Sequence, residues 1–567
     1  MRSSDGCWTC RLRRKKCDEI RPVCDTCSAL NITCYFTEDK PEWMDGGPRQ
    51  EEMAEKLRKE VKEQAYRRRP VRERLLHTSL PRIPPRDLND TPSRHKSLPD
   101  GQPEAKPSLE VTPHPRRGTD CILTAGNANN TITFSRPDTF LLTFYLDNLL
   151  PFLFPFYNPS LLEGGKAWIL EMMISSPVVR QATRCQSSYF FSLAQGQDAD
   201  WKTVLEQTRD SFSMLGKSLQ VIQGSNIMEH VHGAIRILAG IMQLQRYEAS
   251  LLSFDNCQAH LNGAVALFKQ LLDNAGSSDP RSNFSVVLSR LGPSSHIAER
   301  LEVPSAEQSA FRFSSALLMF DDIVASTVLQ QKPKLYEYHQ SLLDNVDEAG
   351  PAVDLERVVG CQNWVLAQTG EIASLDAWKQ NCKRAGNLDM MEMVRIAKAI
   401  KTSLETQLTG LEATESKGTN ERQRHLNVLT GYDEQQSKTR AAQSSLVTKI
   451  WAHGALIYLS VVVSGWQPAS VDIRYNVEGI LKLVESPVLP RALLRTMVWP
   501  FCVAGCLAEP AQERRFRAIV EELQPLRVFG TVCKALEIME KVWRDRQDTG
   551  RDLATCFKGH GDLVLLV

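Results

Sequence analysis

The sequence predicts a mostly α-helical protein made of a small metal-stabilised N-terminal domain, a disordered linker and a large all-helical domain. Three observations carry that prediction. Six regularly spaced cysteines fall between residues 7 and 34, a proline-rich polar stretch covers 80–117, and apolar residues at helical spacing dominate beyond about residue 134. At 567 residues and 63.8 kDa the chain has room for about two to four domains. With 42% hydrophobic and 24% charged residues it has ordinary globular usage, which excludes a chain disordered throughout. The formal net charge of +1 averages a basic N-terminal region with a near-neutral remainder, so charge is read by segment. The expected division is residues 1–37, 38–133 and 134–567.

The cysteines repeat one pattern twice: Cys7-x2-Cys10-x6-Cys17, then Cys24-x2-Cys27-x6-Cys34. No apolar h-region opens the sequence, so a secretory leader is not expected. Dense cysteines then read as metal ligands in a reducing compartment and not as a disulfide framework. Thiolates suit zinc, which prefers tetrahedral sulfur coordination. Six thiolates complete two tetrahedra if two sulfurs bridge both ions, and the pseudo-symmetry nominates Cys7 and Cys24. One Zn2+ then takes Cys7, Cys10, Cys17 and Cys24, and the other takes Cys24, Cys27, Cys34 and Cys7. Every position is filled by sulfur, so both ions are expected to be structural, holding together a unit too small for its own core.

The two halves differ in charge. Residues 11–16 read RLRRKK, placing Arg11, Arg13, Arg14, Lys15 and Lys16 on what the spacing predicts is a helix about two turns long; residues 28–33 read SALNIT and carry no charge. Clustered cations on a rigid helix suit an anion. Arg addresses guanine O6 and N7 with paired donors and either residue binds phosphate, so duplex DNA fits. Stacking aromatics are sparse, with Trp8, Tyr35 and Phe36 nearby, which makes RNA the poorer fit.

Residues 51–65 lack Pro and Gly and set Met53, Leu57, Val61 and Ala65 at four-residue steps, which predicts a helix with one apolar stripe. Hardly two heptads are present, so dimerisation through this helix stands beside a solvated helix packed on its neighbours. Residues 67–74, RRRPVRER, suit phosphate backbone or nuclear import, or form a solvated linker. Prolines then recur through 80–117 with too little apolar surface to offset ordering entropy.

Helical periodicity marks residues 161–180, 228–245, 259–272, 306–329, 355–378, 388–408, 444–463 and 531–543. Residues 274–305 and 409–438 read as long loops. The stretch 139–157 is interrupted by Asp147, Asn148, Pro151 and Pro155, and the apolar run 455–463 is short. Neither is expected to span a membrane. His260, His453 and Cys361 read as core or hydrogen-bonded groups, and Asp321-Asp322 as a helix surface. No Walker loop, dinucleotide fingerprint, zinc-hydrolase His pair or nucleophile elbow appears, so no enzyme is expected.

CRLRRKKCD, the loop proline Pro22 and the doubled cysteine pattern resemble the fungal binuclear zinc cluster DNA-binding family. The resemblance implies a nuclear transcription regulator whose first helix enters the major groove to read a short CGG-like triplet. The family commonly has a guanine-contacting lysine at the position of Arg14, and here the charge is kept while the side chain differs. PEWMDGG (41–47), PFLFPFYNPSLLEGGKAWIL (151–170), HLNGAVALF (260–268) and GCQNWVLAQTGEIASLDAWK (360–379) are similar to the helical regulatory domain of these factors. The partners so implied are double-stranded DNA, a second copy in a homodimer, and transcription machinery or co-regulators. Control of a biosynthetic gene cluster is a family-level implication. The alternative reading is a zinc-stapled adaptor whose cations meet an acidic protein surface without DNA specificity.

Overall fold

The computed structural model describes residues 6–13, 15, 17–19, 23–28, 32–36, 40–68, 135–160, 163–196, 201–222, 227–292, 295–298, 301–345, 350–411, 434–546, 550–559, 562–563 and 565–567. The chain divides into two compact units, Met1–Thr124 and Ala125–Val567.

The first unit holds the cysteines, two short helices, α1 (Trp8–Leu12) and α2 (Asp25–Ser28), and a longer one, α3 (Pro48–Arg68). The PEWMDGG stretch starts α3: Asp45 Oδ1 accepts the Gly47 and Gln50 N–H groups at 2.8 and 3.2 Å, and Gln50 Oε1 accepts Gly46 N–H at 3.0 Å. These bonds satisfy donors that an open helix start leaves unpaired. The helix extends past the expected 51–65 at both ends. Leu57 of its stripe is buried and Met53 half-buried. Residues 69–74 of the cationic run and the proline-rich stretch 80–117 lie outside the described residues.

The second unit is helical, with one apolar core running from Leu142 to Leu566. The strands among its described residues form two short antiparallel hairpins, Ser295–Ala298 with Leu301–Val303 and Lys558–Gly559 with Asp562–Leu563. At the centre lies α12 (Ala306–Leu329; α4–α11 are α4 Arg136–Phe144, α5 Leu150–Leu153, α6 Ala167–Ser175, α7 Pro177–Ala194, α8 Trp201–Ile222, α9 Val231–Ser250, α10 Phe254–Asp273 and α11 Pro280–Arg290). It begins with a capping box between Ser305 and Gln308 and is buried along nearly its whole length against α6, α9, α10 and α15 (Asn363–Ala385). A second buried helix, α17 (Glu434–Ser464), packs on α15 and on α19 (Val498–Cys506). Between α17 and α19 the indoles of Trp451 and Trp499 stack at 5.3 Å, and Trp499 Nε1–H donates to Thr327 Oγ1 of α12 at 2.8 Å. The segment Lys438–Ser464 is long and apolar enough to cross a membrane by length and composition, but 72% of its most apolar window is buried inside the fold.

Several boundaries differ from the sequence expectation for identifiable reasons. The segment 161–180 splits at Pro177, whose missing N–H restarts the chain as α7 while Ser176 Oγ accepts Val179 N–H. The segment 355–378 splits at Gly360, where a positive φ of 78° and Phe156 2.2 Å from a built Cβ leave room for glycine alone. The expected loop 274–305 contains α11 and a hairpin. Asp279 accepts the Arg281 and Ser282 N–H groups and Pro280 occupies the first turn, a start signal hidden by the polar composition. In the other expected loop, residues 412–433 lie outside the described residues.

The carboxylates Asp321 and Asp322 are a correction as well. Instead of lining a helix surface, both are buried in α12. Asp321 accepts Arg246 Nη2–H at 2.5 Å and Gln245 Nε2–H at 2.9 Å, and Asp322 accepts Leu335 N–H at 2.8 Å. Adjacent helix positions point different ways, so each carboxylate meets its own partners.

Candidate metal centre and nucleic-acid interface

The six cysteine sulfurs gather into two overlapping sets. Cys7, Cys10, Cys17 and Cys24 form one set and Cys7, Cys24, Cys27 and Cys34 the other, with all sulfurs of a set within 4.8 Å of one another. Cys7 and Cys24 belong to both, and their sulfurs lie 3.6 Å apart. Cys7 to Cys27 and Cys10 to Cys24 are each 3.7 Å, and Cys24 to Cys34 is 3.9 Å. Cys10 and Cys27, one from each set, lie 3.8 Å apart. All six are free thiols, far beyond a disulfide bond length. Two sulfurs on one tetrahedral zinc, each about 2.3 Å from the ion, lie about 3.8 Å apart, so the donor set fits zinc.

The local fold explains how a repeat of spacing becomes a repeat of geometry. Cys7 is the N-cap of α1 and its Sγ accepts Cys10 N–H at 3.3 Å. Cys24 does the same ahead of α2, accepting Cys27 N–H at 3.4 Å. The leading cysteine of each half therefore turns its sulfur inward under its own helix start, where both sets share it. Cys7 N–H also donates to Cys17 Sγ at 3.4 Å, returning the end of the first half to its beginning.

Burial raises the thiols of Cys7, Cys10 and Cys27, bringing Cys10 to about 11. At Cys24 burial pushes the same way, but hydrogen bonds from Cys27 N–H and from the thiols of Cys27, Cys7 and Cys10 outweigh it and lower the group to about 7. Negative charge gathers first on a sulfur common to both sets. A bound ion must expel the protons held by the others.

Contacts that spacing did not reveal hold the halves together. Thr9 is fully buried; its Oγ1–H donates to Thr33 O at 2.9 Å and the same oxygen accepts Tyr35 N–H at 3.0 Å. Trp8 N–H donates to Tyr35 O at 2.8 Å. Ile32 is buried among the cysteines and Phe36 packs against them.

The cationic segment departs from the expected two-turn helix. α1 ends at Leu12, Arg13 is its C-cap, and Lys15 N–H donates to Cys10 O at 2.9 Å, the six-to-one bond that closes a helix. The chain must turn back so that Cys17 reaches its set, and that return stops the helix after little more than one turn. Arg11 lies inside the helix with its guanidinium 4.5 Å from the Trp8 ring centre, and Lys15 is exposed beyond the helix end. Arg13 holds one buried Nη without a hydrogen-bond partner. Arg14 and Lys16 lie outside the described residues.

In the second unit, His453 Nδ1 is 2.8 Å from Asn476 Oδ1, Cys361 is buried, and His260, whose Nε2 has no partner, is lowered to about 4 by burial. Among the described residues none joins a group of side chains that could hold a metal ion.

Two families match the chain: the fungal Zn(2)-Cys(6) binuclear cluster domain over residues 5–43 and the fungal specific transcription factor domain over residues 140–565. The chain is similar to transcription factor dibT of Pestalotiopsis microspora, at 34% identity over 99% of both chains. It is also similar to the pestheic acid cluster transcriptional regulator 3 of Pestalotiopsis fici, at 28% identity over 96% of this chain and 95% of that one. The trichothecene biosynthesis transcription regulator TRI10 of Trichoderma arundinaceum is 25% identical over 72% of this chain and 91% of its own. No solved structure matches the chain.

Proposed function

The chain belongs to the fungal transcription factors that join a Zn(2)-Cys(6) cluster to a fungal specific helical domain, and from that premise we propose that it is a nuclear regulator of a biosynthetic gene cluster, reading a short CGG-like, GC-rich element. It is a zinc- and DNA-binding transcription regulator by family. The observation that carries the finer reading is a closed sulfur scaffold sharing Cys7 and Cys24, with the segment RLRRKK suspended between two of its ligands. In this reading Cys7, Cys10, Cys17, Cys24, Cys27 and Cys34 hold two structural zinc ions, which supply a rigid cross-link and leave no open position for water or substrate.

Arg11, Arg13, Arg14, Lys15 and Lys16 do the recognition. Arg side chains address guanine edges and the lysines hold phosphate, which fixes register on the duplex. Cluster control is supported by two of the relatives, one named for a pestheic acid cluster and one for trichothecene biosynthesis. The helical unit then governs activity through co-regulators, and a homodimer joined near α3 pairs two half-sites. The division into residues 1–37, 38–133 and 134–567 follows the same roles.

Affinity for a CGG-containing duplex and for a random duplex, measured against salt, tests the reading. Log affinity should fall steeply with log salt, by a slope of about −0.9 for each phosphate neutralised, with the CGG duplex bound more tightly throughout. Charge reversal at Arg13 and Arg14 should abolish the preference while zinc stays bound. A flat slope with no sequence preference defeats the proposal.

A further inference from the structure

Two adjoining recesses in the helical unit share the side chains of Leu153, Phe154, Arg246, Arg495 and Val567. Their volumes are about 50 and 30 Å3, room for several waters or for one small planar group. In the first recess Phe190 and Val528 stand beside polar Ser250 and Thr531, while the second is mainly apolar, with Phe320 and Val359 in its wall.

Two guanidiniums in these recesses keep buried donors without acceptors. Arg246 donates to Asp321, but its buried Nε has no acceptor. Arg495 makes no hydrogen bond and no ion pair among the described residues; its Nε is buried without an acceptor and its guanidinium lies 4.4 Å from the Phe152 ring centre. Asp321 is already shared between Arg246 and Gln245, and Arg495 has no carboxylate within ion-pair distance among the described residues. Burial, and then the neighbouring Arg246 charge, push Arg495 down to about 9. A buried donor without an acceptor is costly, and the cost is greater for a charged one.

We propose that the two recesses form one binding site for a small organic carboxylate with an apolar body, its carboxylate received by Arg495 and by the free Nε–H of Arg246, its body lying against Phe154 and Phe320. The planar fork of a guanidinium matches a carboxylate. Apolar walls favour a carbon skeleton over a bare inorganic anion, which would have to shed its water there. This site goes beyond DNA reading, and binding in it stands or falls whether or not the chain recognises a duplex.

Calorimetric titration of the full zinc-loaded chain with benzoate, benzamide and inorganic phosphate tests it. Benzoate should bind at least about tenfold more tightly than benzamide, its uncharged analogue, and Arg495→Met should weaken benzoate by about tenfold or more. The thermal midpoint of Arg495→Met without ligand should hold or rise, since the substitution removes a half-buried cation with no ion pair among the described residues. Equal binding of benzamide, unchanged benzoate binding by Arg495→Met, or preference for phosphate over benzoate overturns the proposal. Should Arg495→Met fail to fold, Arg495→Lys keeps the charge and removes the fork. Undiminished benzoate binding by that variant has the same overturning force.

Discussion

The sulfur-clustered unit and the helical unit solve the same problem, holding a chain in one conformation, by opposite means. In the first, six cysteines and a handful of neighbours do the work, and around them the buried side chains are five of those cysteines with Ile32 and Thr9, while Cys34 is half-buried. In the second, apolar side chains from Leu142 to Leu566 make one continuous core, and a buried carboxylate such as Asp321 enters it with partners, Gln245 and Arg246. Stability concentrated in a few coordinate bonds fails all at once, whereas stability spread over many contacts fails by degrees. A single substitution should therefore be catastrophic in one unit and graded in the other.

The largest effect is expected at Cys24. Cys24→Ala removes a sulfur common to both sets, so metal content per chain should fall to near zero, with loss of the unit's fold and of DNA binding. The melting of the helical unit should be unchanged, and metal analysis beside circular dichroism reads both. Retention of one full equivalent of zinc would show that the sets are less coupled than their shared sulfurs indicate.

In the helical unit the deepest single loss should come from Trp499→Ala. It removes the stack on Trp451 and the bond to Thr327, with an expected cost of about 3–5 kcal/mol by denaturant titration and no change in zinc. Asp321→Ala strands Arg246 in the core and should cost a similar amount, about 3–5 kcal/mol. The same carboxylate gives a pH signature. Burial, opposed by Arg246, raises it to about 6, above an unfolded value of about 3.9. Its contribution is therefore fully present below the unfolded value and is lost as pH rises through about 6. Relative to Asp321→Asn, the native protein should lose stability between about pH 4 and pH 6, and a constant difference across that window would contradict the shift.

Smaller effects sharpen the contrast. Thr9→Val deletes the two side-chain bonds of Thr9 to the Thr33–Tyr35 segment, leaving the Trp8 N–H bond to Tyr35 O, and should cost the metal-bound unit about 1–3 kcal/mol without lowering its zinc content. Lys401→Ala breaks an exposed pair with Asp472 and should change the helical unit by no more than about 0.5 kcal/mol.

Legibility followed the range over which each feature is specified. The x2 and x6 spacings are local, and zinc's preference for four sulfurs is stereochemical, so the two sets and their shared members could be read from residue numbers; the structure brings together those same sulfurs. The extent of the basic helix was overestimated because its end is set by Cys17 returning to the sulfurs, which periodicity does not register. Missed helices such as α8 and α11 were masked by polar composition, although Asp279-Pro280 was a usable start signal.

By itself the sequence determined the fold class, the metal-ligand pattern and the family resemblance, because each is written in spacing, composition or short motifs. Tertiary structure alone decided which polar groups became interior. Asp321 meets Arg246 from 75 positions away in the sequence, and Arg495 meets the same arginine across a recess that no local pattern announces. Gly505 shows the same dependence: a Cβ there would lie 1.8 Å from Met539 Sδ, a closeness of α19 to the helix Gly530–Arg544 that exists only once both are packed. Local rules fix what a segment is; the partners that offset a buried charge, or forbid a methyl group, are chosen when distant segments meet.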